Sequence, residues 1–303
     1  MSQAEGFKLN TGTVDSPPRP SSSVLLLRDG ADGLEILLQR RHERNDVLAN
    51  AYVFPGGKVD KADGEIEMLS RFDLSAAAIH ARMGDVALDE QGAAVYFAAA
   101  CREIFEEAGL LLAQRADGSP VNAQDAETAM QWLRQGLSFV EVLERFNFTM
   151  QASALVPWTR WITPRVPTVM SKRFDVRFFL ARTPAGQTAV HDDHEAVESV
   201  WIAPRAALER CHARAMMLAA PQLMSLAELA RHASVDAAMA PQAITWPRLI
   251  EPHPFEHEGA RAVAYPGDPL HANPARAMPG PTRLIFRDGR FEPFGTFEDY
   301  FKD

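Results

Sequence analysis

Apolar and polar positions alternate in short blocks at the start of the chain. Residues 23–28 and 34–40 are apolar runs joined by Asp29-Gly-Ala-Asp-Gly33, which predicts a β-hairpin. Val53-Phe54 then meets Pro55-Gly56-Gly57, the pattern of a short strand entering a tight loop with exposed backbone. Residues 155–163 and 173–181 predict further strands, the second alternating and rich in Phe and Val. Residues 197–202 predict another. Helical spacing marks 125–135, 139–146, 204–211 and 221–232. The last of these puts Pro221 at the favoured first position and gathers Leu223, Leu226, Leu229 and Ala230 into one stripe, as a helix lying on a sheet requires.

The stretch around residues 97–108 predicts a short amphipathic helix of unusual charge. At roughly 100° per residue, Phe97, Cys101, Ile104 and Ala108 share one side. Glu103, Glu106 and Glu107 share the other, and Gly109 supplies the C-cap. Like charges at these spacings repel by about 0.2–0.5 kcal/mol per pair. They also crowd the last turns, where the helix dipole disfavours anions. The residue choice therefore works against the helix. A hard divalent cation resolves the conflict, because Mg²⁺ takes carboxylate oxygens. A solvated acidic face is the alternative.

Composition narrows the chemistry. A length of 303 residues allows one large domain or two, and 47% hydrophobic residues suffice for a real core. The net charge of −9 argues against a nucleic-acid binder, whose phosphate contacts need a basic face. A small anionic ligand needs only a few local cations. Cys101 and Cys211 make no disulfide framework and suit a reducing compartment. Cys101 is expected to pack rather than react. No apolar run has the length of a membrane span, and the first residues lack the features of a signal peptide. The expectation is a cytoplasmic protein with no membrane partner.

Pro55-Gly56-Gly57 together with Arg102-Glu103-Ile104-Phe105-Glu106-Glu107-Ala108-Gly109-Leu110 resembles the Nudix box, G-x5-E-x7-R-E-U-x-E-E-x-G-U with U aliphatic. The second half matches at every specified position. The first half departs twice. Asp63 stands where the family has Glu, and residues 64–101 occupy a spacing of seven in the family pattern. The chain is similar in both respects to the coenzyme A and acyl-coenzyme A diphosphatase subgroup, whose box is interrupted. Leu37-Leu38-Gln39-Arg40-Arg41 and Ala51-Tyr52-Val53-Phe54-Pro55-Gly56-Gly57 also look like that subgroup.

The resemblance implies an α+β Nudix fold, a mixed β-sheet sandwiched between helices, carrying helical insertions and a C-terminal extension. The expected division is a mobile tail over 1–20, a Nudix domain over 21–233 with insertions at about 64–90 and 114–150, and an extension over 234–303 that packs on the core or makes a homodimer contact. The implied reaction is Mg²⁺- or Mn²⁺-dependent hydrolysis of a diphosphate bond in a small nucleoside diphosphate derivative. Coenzyme A or an acyl-coenzyme A leads, giving 3′,5′-ADP and a phosphopantetheine product. ADP-ribose, nucleotide sugars and dinucleoside polyphosphates are the other substrates the family offers, and a catalytically silent nucleotide sensor is a different class.

Residue by residue, Glu103, Glu106 and Glu107 are the implied metal ligands. Arg102 pairs with Glu103 or Asp63 and directs a carboxylate, with Asp63 orienting the helix. Arg40, Arg41 and Arg44 are candidate phosphate ligands, since a guanidinium fork suits phosphate. Gly56, Gly57 and Lys58 offer close backbone approach and a further cation. The base is Glu195, with Glu198 second, or a member of the glutamate trio.

Other features are read more plainly. Segments 67–74 and 76–83 of the insertion look helical and are placed as a flap beside the active site, with His80 structural. Trp158 and Trp161 line an acyl or base pocket or, more commonly for such residues, pack in the core. His191-Asp-Asp-His194 reads as a solvated loop. His253, His257 and His271 are too irregular for a metal site. Strands are expected at 260–265 and 283–286, the latter turning through Asp288-Gly289.

Overall fold

The computed structural model describes residues 6–45, 47–190, 196–240 and 248–302. The expected hairpin is β1 (Arg19–Gly30) and β2 (Gly33–Arg41), followed by the short strands β3 (Tyr52–Val53) and β4 (Gly56–Lys58). A 3₁₀ turn at Lys61–Gly64, a single turn α1 (Ile66–Leu69) and α2 (Ala76–Met83) lead to the central helix α3 (Glu90–Ala108). Asp89 opens α3 by accepting from the Gly92 N–H, and Gly109, at φ 67°, closes it in the left-handed conformation. Then come β5 (Ala113–Gln114), α4 (Ala123–Arg134), α5 (Phe139–Phe146), β6 (Thr149–Met150), β7 (Val156–Ile162), β8 (Phe174–Arg182) and β9 (Ala196–Ile202). The chain continues through α6 (Pro204–His212), α7 (Ala220–Leu229) and the single turn α8 (Val235–Ala238). It ends in β10 (Arg248–Ile250), β11 (His253–His257), β12 (Ala260–Ala264), β13 (Arg283–Arg287) and β14 (Arg290–Pro293).

The main sheet has the order β10-β7-β8-β1-β2-β3, with β4 against β1 and β9 against β2. It is mixed: β1–β8 and β7–β10 are parallel, and the other pairings are antiparallel. β1 is buried from Ser21 to Leu27 without a break, the signature of a strand covered on both faces. Its side chains divide by the two-residue period. Val24 and Leu26 join α3, α2, α4 and α5 in one core, while Leu25 and Leu27 join α6, α7 and the C-terminal strands in another. The chain therefore has the α+β, helix-flanked mixed sheet that the resemblance implied.

The register of β1 positions the site. Residues 21–23 pair with β4 and residues 27–30 pair with β2. The glycine loop is thereby pinned to the middle of the sheet, directly beneath α3.

Three segments differ from expectation. α3 begins at Glu90, well before residue 97, so the end of the insertion is its first half. The flap is not formed: Ile79 and Met83 of α2 pack in the α3 core, and Arg82 donates to the Leu155 and Ser153 carbonyls at 2.9 Å. The His80 ring lies 2.8 Å from the Leu88 carbonyl, a structural contact. The described part of the expected tail lies against the body, with the N–H groups of Phe7, Asn10 and Val14 donating to Gly289, Thr168 and Arg165. β11–β14 form a second, four-stranded antiparallel sheet whose Val263, Leu284, Phe286 and Phe291 enter the core of α6 and α7.

Candidate active site

The last turns of α3 carry the chemistry because their apolar side is fixed in the core. Phe97, Cys101, Ile104, Phe105 and Ala108 are buried there, which turns the glutamates toward the glycine loop. Burial pushes the Cys101 thiol well up, so it packs rather than reacts. The exposed carbonyls of the helix end are also met from the sheet: buried Gln39 donates to the Glu107 carbonyl at 2.8 Å.

Arg102 is the organising cation. Its Nε and Nη2 donate to the two oxygens of Asp63 at 2.8 and 2.9 Å, and Asp63 has no exposed surface. Its Nη1 donates at 2.9 Å both to Glu103 Oε1 and to Glu106 Oε2. Nη2 also reaches the Lys58 carbonyl at 3.0 Å. Burial alone would lower the guanidinium pKa, yet the hydrogen bond to Asp63 and the charges of Glu103, Asp63 and Glu106 drive it up. For Glu106 burial dominates. Its carboxyl is raised, although Arg102 pulls it down, and Asp63 and Asp60 add to the rise.

The glycines admit this arrangement. A Cβ on Gly57 would fall 2.5 Å from the Glu103 carboxyl carbon and 2.6 Å from its Oε2. Gly56, at φ 150°, has no room for a side chain either, since a Cβ would lie 2.5 Å from Ser23 Cα. The Gly56 N–H donates to Glu107 Oε2 at 2.8 Å. Loop and helix are thus in direct contact through carboxylates.

Glu103, Glu106, Glu107 and Arg102 form one wall of a cleft of about 690 Å³. Arg19, Arg41, Arg44, Lys58 and Lys172 bring positive charge to it, with Asp60 on the same rim. Of the residues expected at the site, Gly56, Gly57, Lys58, Arg41 and Arg44 line the cleft with the glutamates. Arg40 does not. It pairs with Glu198 at 3.2 Å, and the Tyr52 hydroxyl donates to the same Glu198 oxygen at 2.8 Å. Tyr52 is pushed up to about 12 by burial and by Glu198. Glu198 is therefore engaged outside the cleft. Glu195 and the 191–194 segment lie outside the described residues.

Sequence reasoning missed Arg19, Lys172 and Gln222. Arg19 and Lys172 come to the cleft through the parallel β1–β8 pairing, which sets Arg19 opposite Phe174, two residues past Lys172. That pairing leaves no local pattern. Trp158 and Trp161 are both buried in the core beside α7.

Residues 83–229 match the family model described as the NUDT19 Nudix domain. Over that span, just under half of the chain, the sequence is similar to the Nudix hydrolase family. Among similar proteins, the acyl-coenzyme A diphosphatase NUDT19 of Xenopus laevis is 27% identical over 236 residues, covering 67% of this chain and 61% of that protein. The Gallus gallus protein of the same name is 29% identical over 259 residues, covering 73% and 66%. The chain thus spans about two thirds or less of the length of these curated relatives. A Nudix hydrolase from Alicyclobacillus acidocaldarius has a similar fold, with a TM-score of 0.61 at 22% identity over 77% of this chain and 99% of that one.

Nudix hydrolases generally use divalent metal ions, and the donor set here is compatible with one. It consists entirely of carboxylate oxygen, the ligand type that suits a hard cation. Two of its members already meet at a single Arg102 nitrogen. Four carboxylates (Asp60, Asp63, Glu103 and Glu106) crowd one guanidinium, and Glu107 lies beside the glycine loop, an excess of negative charge that a cation relieves. As arranged, the oxygens are turned to Arg102 and the Gly56 N–H, and no three acidic, histidine or cysteine side chains converge on one point among the described residues.

Proposed function

We propose that the protein hydrolyses the diphosphate bond of coenzyme A or an acyl-coenzyme A, yielding 3′,5′-ADP and phosphopantetheine or its acyl derivative. The observation that carries this reading is the α3 carboxylate cluster against the Gly56-Gly57 loop, in a cleft that also presents Arg19, Arg41, Arg44, Lys58 and Lys172. A diphosphate and a separate 3′-phosphate need that many cations, and a neutral substrate does not. The activity for which the Xenopus and Gallus relatives are named supports the same substrate class.

In this reading Glu103, Glu106 and Glu107 hold Mg²⁺ or Mn²⁺, whose chemistry is to neutralise nonbridging phosphate oxygens and acidify a bound water. Arg102, locked by Asp63, fixes the directions of Glu103 and Glu106. The cationic side chains of the cleft orient the phosphates for in-line attack by water, and the bond to the leaving phosphate oxygen breaks. Glu195, outside the described residues, stays the proposed base, with a member of the glutamate trio as the alternative. The two cysteines, buried and unpaired, fit a cytoplasmic location.

The test is a hydrolysis panel with Mg²⁺ comprising coenzyme A, an acyl-coenzyme A, ADP-ribose, a nucleotide sugar and a dinucleoside polyphosphate, with products resolved by mass. Preferential release of 3′,5′-ADP supports the reading. A clear preference for another diphosphate removes the substrate assignment. Binding of nucleotide without any cleavage moves the protein to the sensor class.

A further inference from the structure

Residues 6–18 have no helix or strand of their own, but they run along the body from one fixed point to another. At one end Phe7 packs on the core, and its N–H donates at 2.7 Å to the carbonyl of Gly289, in the turn between β13 and β14. A Cβ on Gly6 would fall 2.6 Å from Gly289 Cα, so glycine is what lets the two backbones cross this closely. At the other end Arg19 enters β1 and lines the charged cleft. Pro17, Pro18 and Pro20 restrict φ at that junction, which leaves the segment fewer conformations to lose when it is fixed.

Between these points the strap holds the loop 163–173, which joins β7 to β8. The Asn10 N–H donates to the Thr168 carbonyl at 2.7 Å, and Asn10 Nδ2 donates to the Pro167 carbonyl at 3.0 Å. The Val14 N–H donates to the Arg165 carbonyl at 2.8 Å, and the Arg19 N–H to the Arg173 carbonyl at 3.0 Å. The Asn10 side chain is itself fixed by a local turn: its Oδ1 accepts from the Gly12 N–H at 3.2 Å, and its Nδ2 also donates to the Gly12 carbonyl at 2.9 Å. On its inner side the loop packs Val169 against the core of α6 and α7. The loop is therefore held from within by packing and from without by the strap. Near its end stands Lys172, one of the cations of the cleft.

We propose that the N-terminal strap belongs to the substrate-binding apparatus, with Asn10 a positioning residue that sets the β7–β8 loop so that Lys172 is presented to an anionic substrate. The assignment rests on the diphosphatase reading only for the identity of that substrate. A loop without these bonds has to be ordered when the substrate binds, and affinity falls by that loss of entropy. A loop already held presents its cation without it. Asn10 lines no part of the cleft, so it acts on binding through the loop and not on the chemical step.

The experiment is a double-mutant cycle on the full chain, with coenzyme A and Mg²⁺. Asn10→Ala should raise KM about three- to tenfold at unchanged kcat, the worth of one or two hydrogen bonds. Asn10→Asp, which keeps the acceptor for Gly12 but loses the donor to Pro167, should do the same. Lys172→Ala should raise KM roughly tenfold or more, as the loss of a charged contact does. With Asn10→Ala and Lys172→Ala combined, KM should be no higher than for Lys172→Ala alone, because the two changes remove one interaction. A general loosening of the fold would instead lower kcat and multiply with the Lys172 effect. A second arm runs the same cycle without turnover, titrating inorganic pyrophosphate into metal-free protein by calorimetry. If coenzyme A is not cleaved but pyrophosphate affinity shows the same non-additive pattern, the strap assignment stands and the diphosphatase reading falls. If coenzyme A is cleaved and KM is unchanged in both Asn10 variants, or kcat falls, or the effects multiply, the strap assignment falls and the diphosphatase reading stands. Wild-type protein that neither cleaves coenzyme A nor binds pyrophosphate overturns both.

Discussion

Arg102 and Asp63 are joined by two parallel hydrogen bonds of 2.8 and 2.9 Å across 39 positions of sequence. The pair is buried, and it holds the interrupted halves of the motif together as one unit. Losing Asp63 removes two of the guanidinium's bonds but leaves Glu103 and Glu106 paired with it, so the loss should fall below the about 3–5 kcal/mol of a fully stranded buried charge. Asp63→Asn should therefore lower the melting temperature, and activity should fall with it as Arg102 loses its anchor. Asp63→Glu, which restores the family's usual residue, should also destabilise. The site has no spare volume, and an extra methylene in a packed position costs about 1–3 kcal/mol. Denaturant titration of the three proteins checks both; an Asp63→Glu variant more stable than wild type would contradict the fit described.

Gly57 and Gly56 should respond differently to a methyl group. In Gly57→Ala the new carbon displaces the Glu103 carboxylate, the movable partner, so the protein should fold but need a higher Mg²⁺ concentration for half-maximal turnover. In Gly56→Ala the obstruction is the β1 backbone and the φ of 150° is one that alanine avoids, so the fold itself should weaken. Metal titration of Gly57→Ala at an unchanged Mg²⁺ requirement would remove Glu103 from the metal site.

Glu106 carries a pH prediction of definite sign. Its folded carboxyl lies above the ordinary 4.5 through burial, only partly offset by Arg102. Stability associated with the protonated form is complete below the unfolded value and is lost as pH rises through the raised folded one. Glu106→Gln should match wild type in stability at acid pH and equal or exceed it at neutral pH, while turnover falls at least about 100-fold. Stability curves from pH 3 to 8 read the first effect. A neutral-pH destabilisation would mean that its bond to Arg102 outweighs the crowding.

The opposite sign applies to Asp175. Burial alone would raise its carboxyl, but the hydrogen bond from Arg160 and the charge of Arg177 outweigh it and hold it below the usual 3.8. Asp85 accepts from the same two arginines, from Arg160 at 3.2 Å and from Arg177 at 2.6 Å, and this network ties the segment after α2 to β7 and β8. Its stabilisation is present above the unfolded value and is lost as pH falls through the folded one. Asp175→Asn should therefore destabilise at neutral pH, and the difference from wild type should shrink below about pH 4. A pH-independent difference would assign the effect to packing.

What the chain revealed in advance divides along physical lines. The half-motif on α3 was legible because its spacing is local and helical, and Gly109 marked its end. The β1–β2 hairpin was legible for the same reason. The start of β1 at Arg19 was not, because it is set by parallel pairing with β8, and that pairing is also what brings Arg19 and Lys172 to the cleft. Arg40 and Arg41 are adjacent and chemically alike, yet only Arg41 lines the cleft. Successive strand residues face opposite sides, and only the register with β9 decides which faces where. The first half of α3 was hidden by Gly92 and by the small residues around it, whose helical state comes from burial against α2 rather than from a pattern.

The central claim is that the α3 carboxylates act on a coenzyme A diphosphate. The most direct measurement is the rate at which 3′,5′-ADP appears from coenzyme A under saturating Mg²⁺, compared between wild type and Glu107→Gln. Glu107→Gln loses one carboxylate oxygen but keeps an acceptor for the Gly56 N–H, so folding should be preserved. The account predicts release by the wild type, none after chelation of the metal, and a loss of at least about 100-fold in the folded variant. Release that survives chelation, or that proceeds at the wild-type rate in Glu107→Gln, would contradict it.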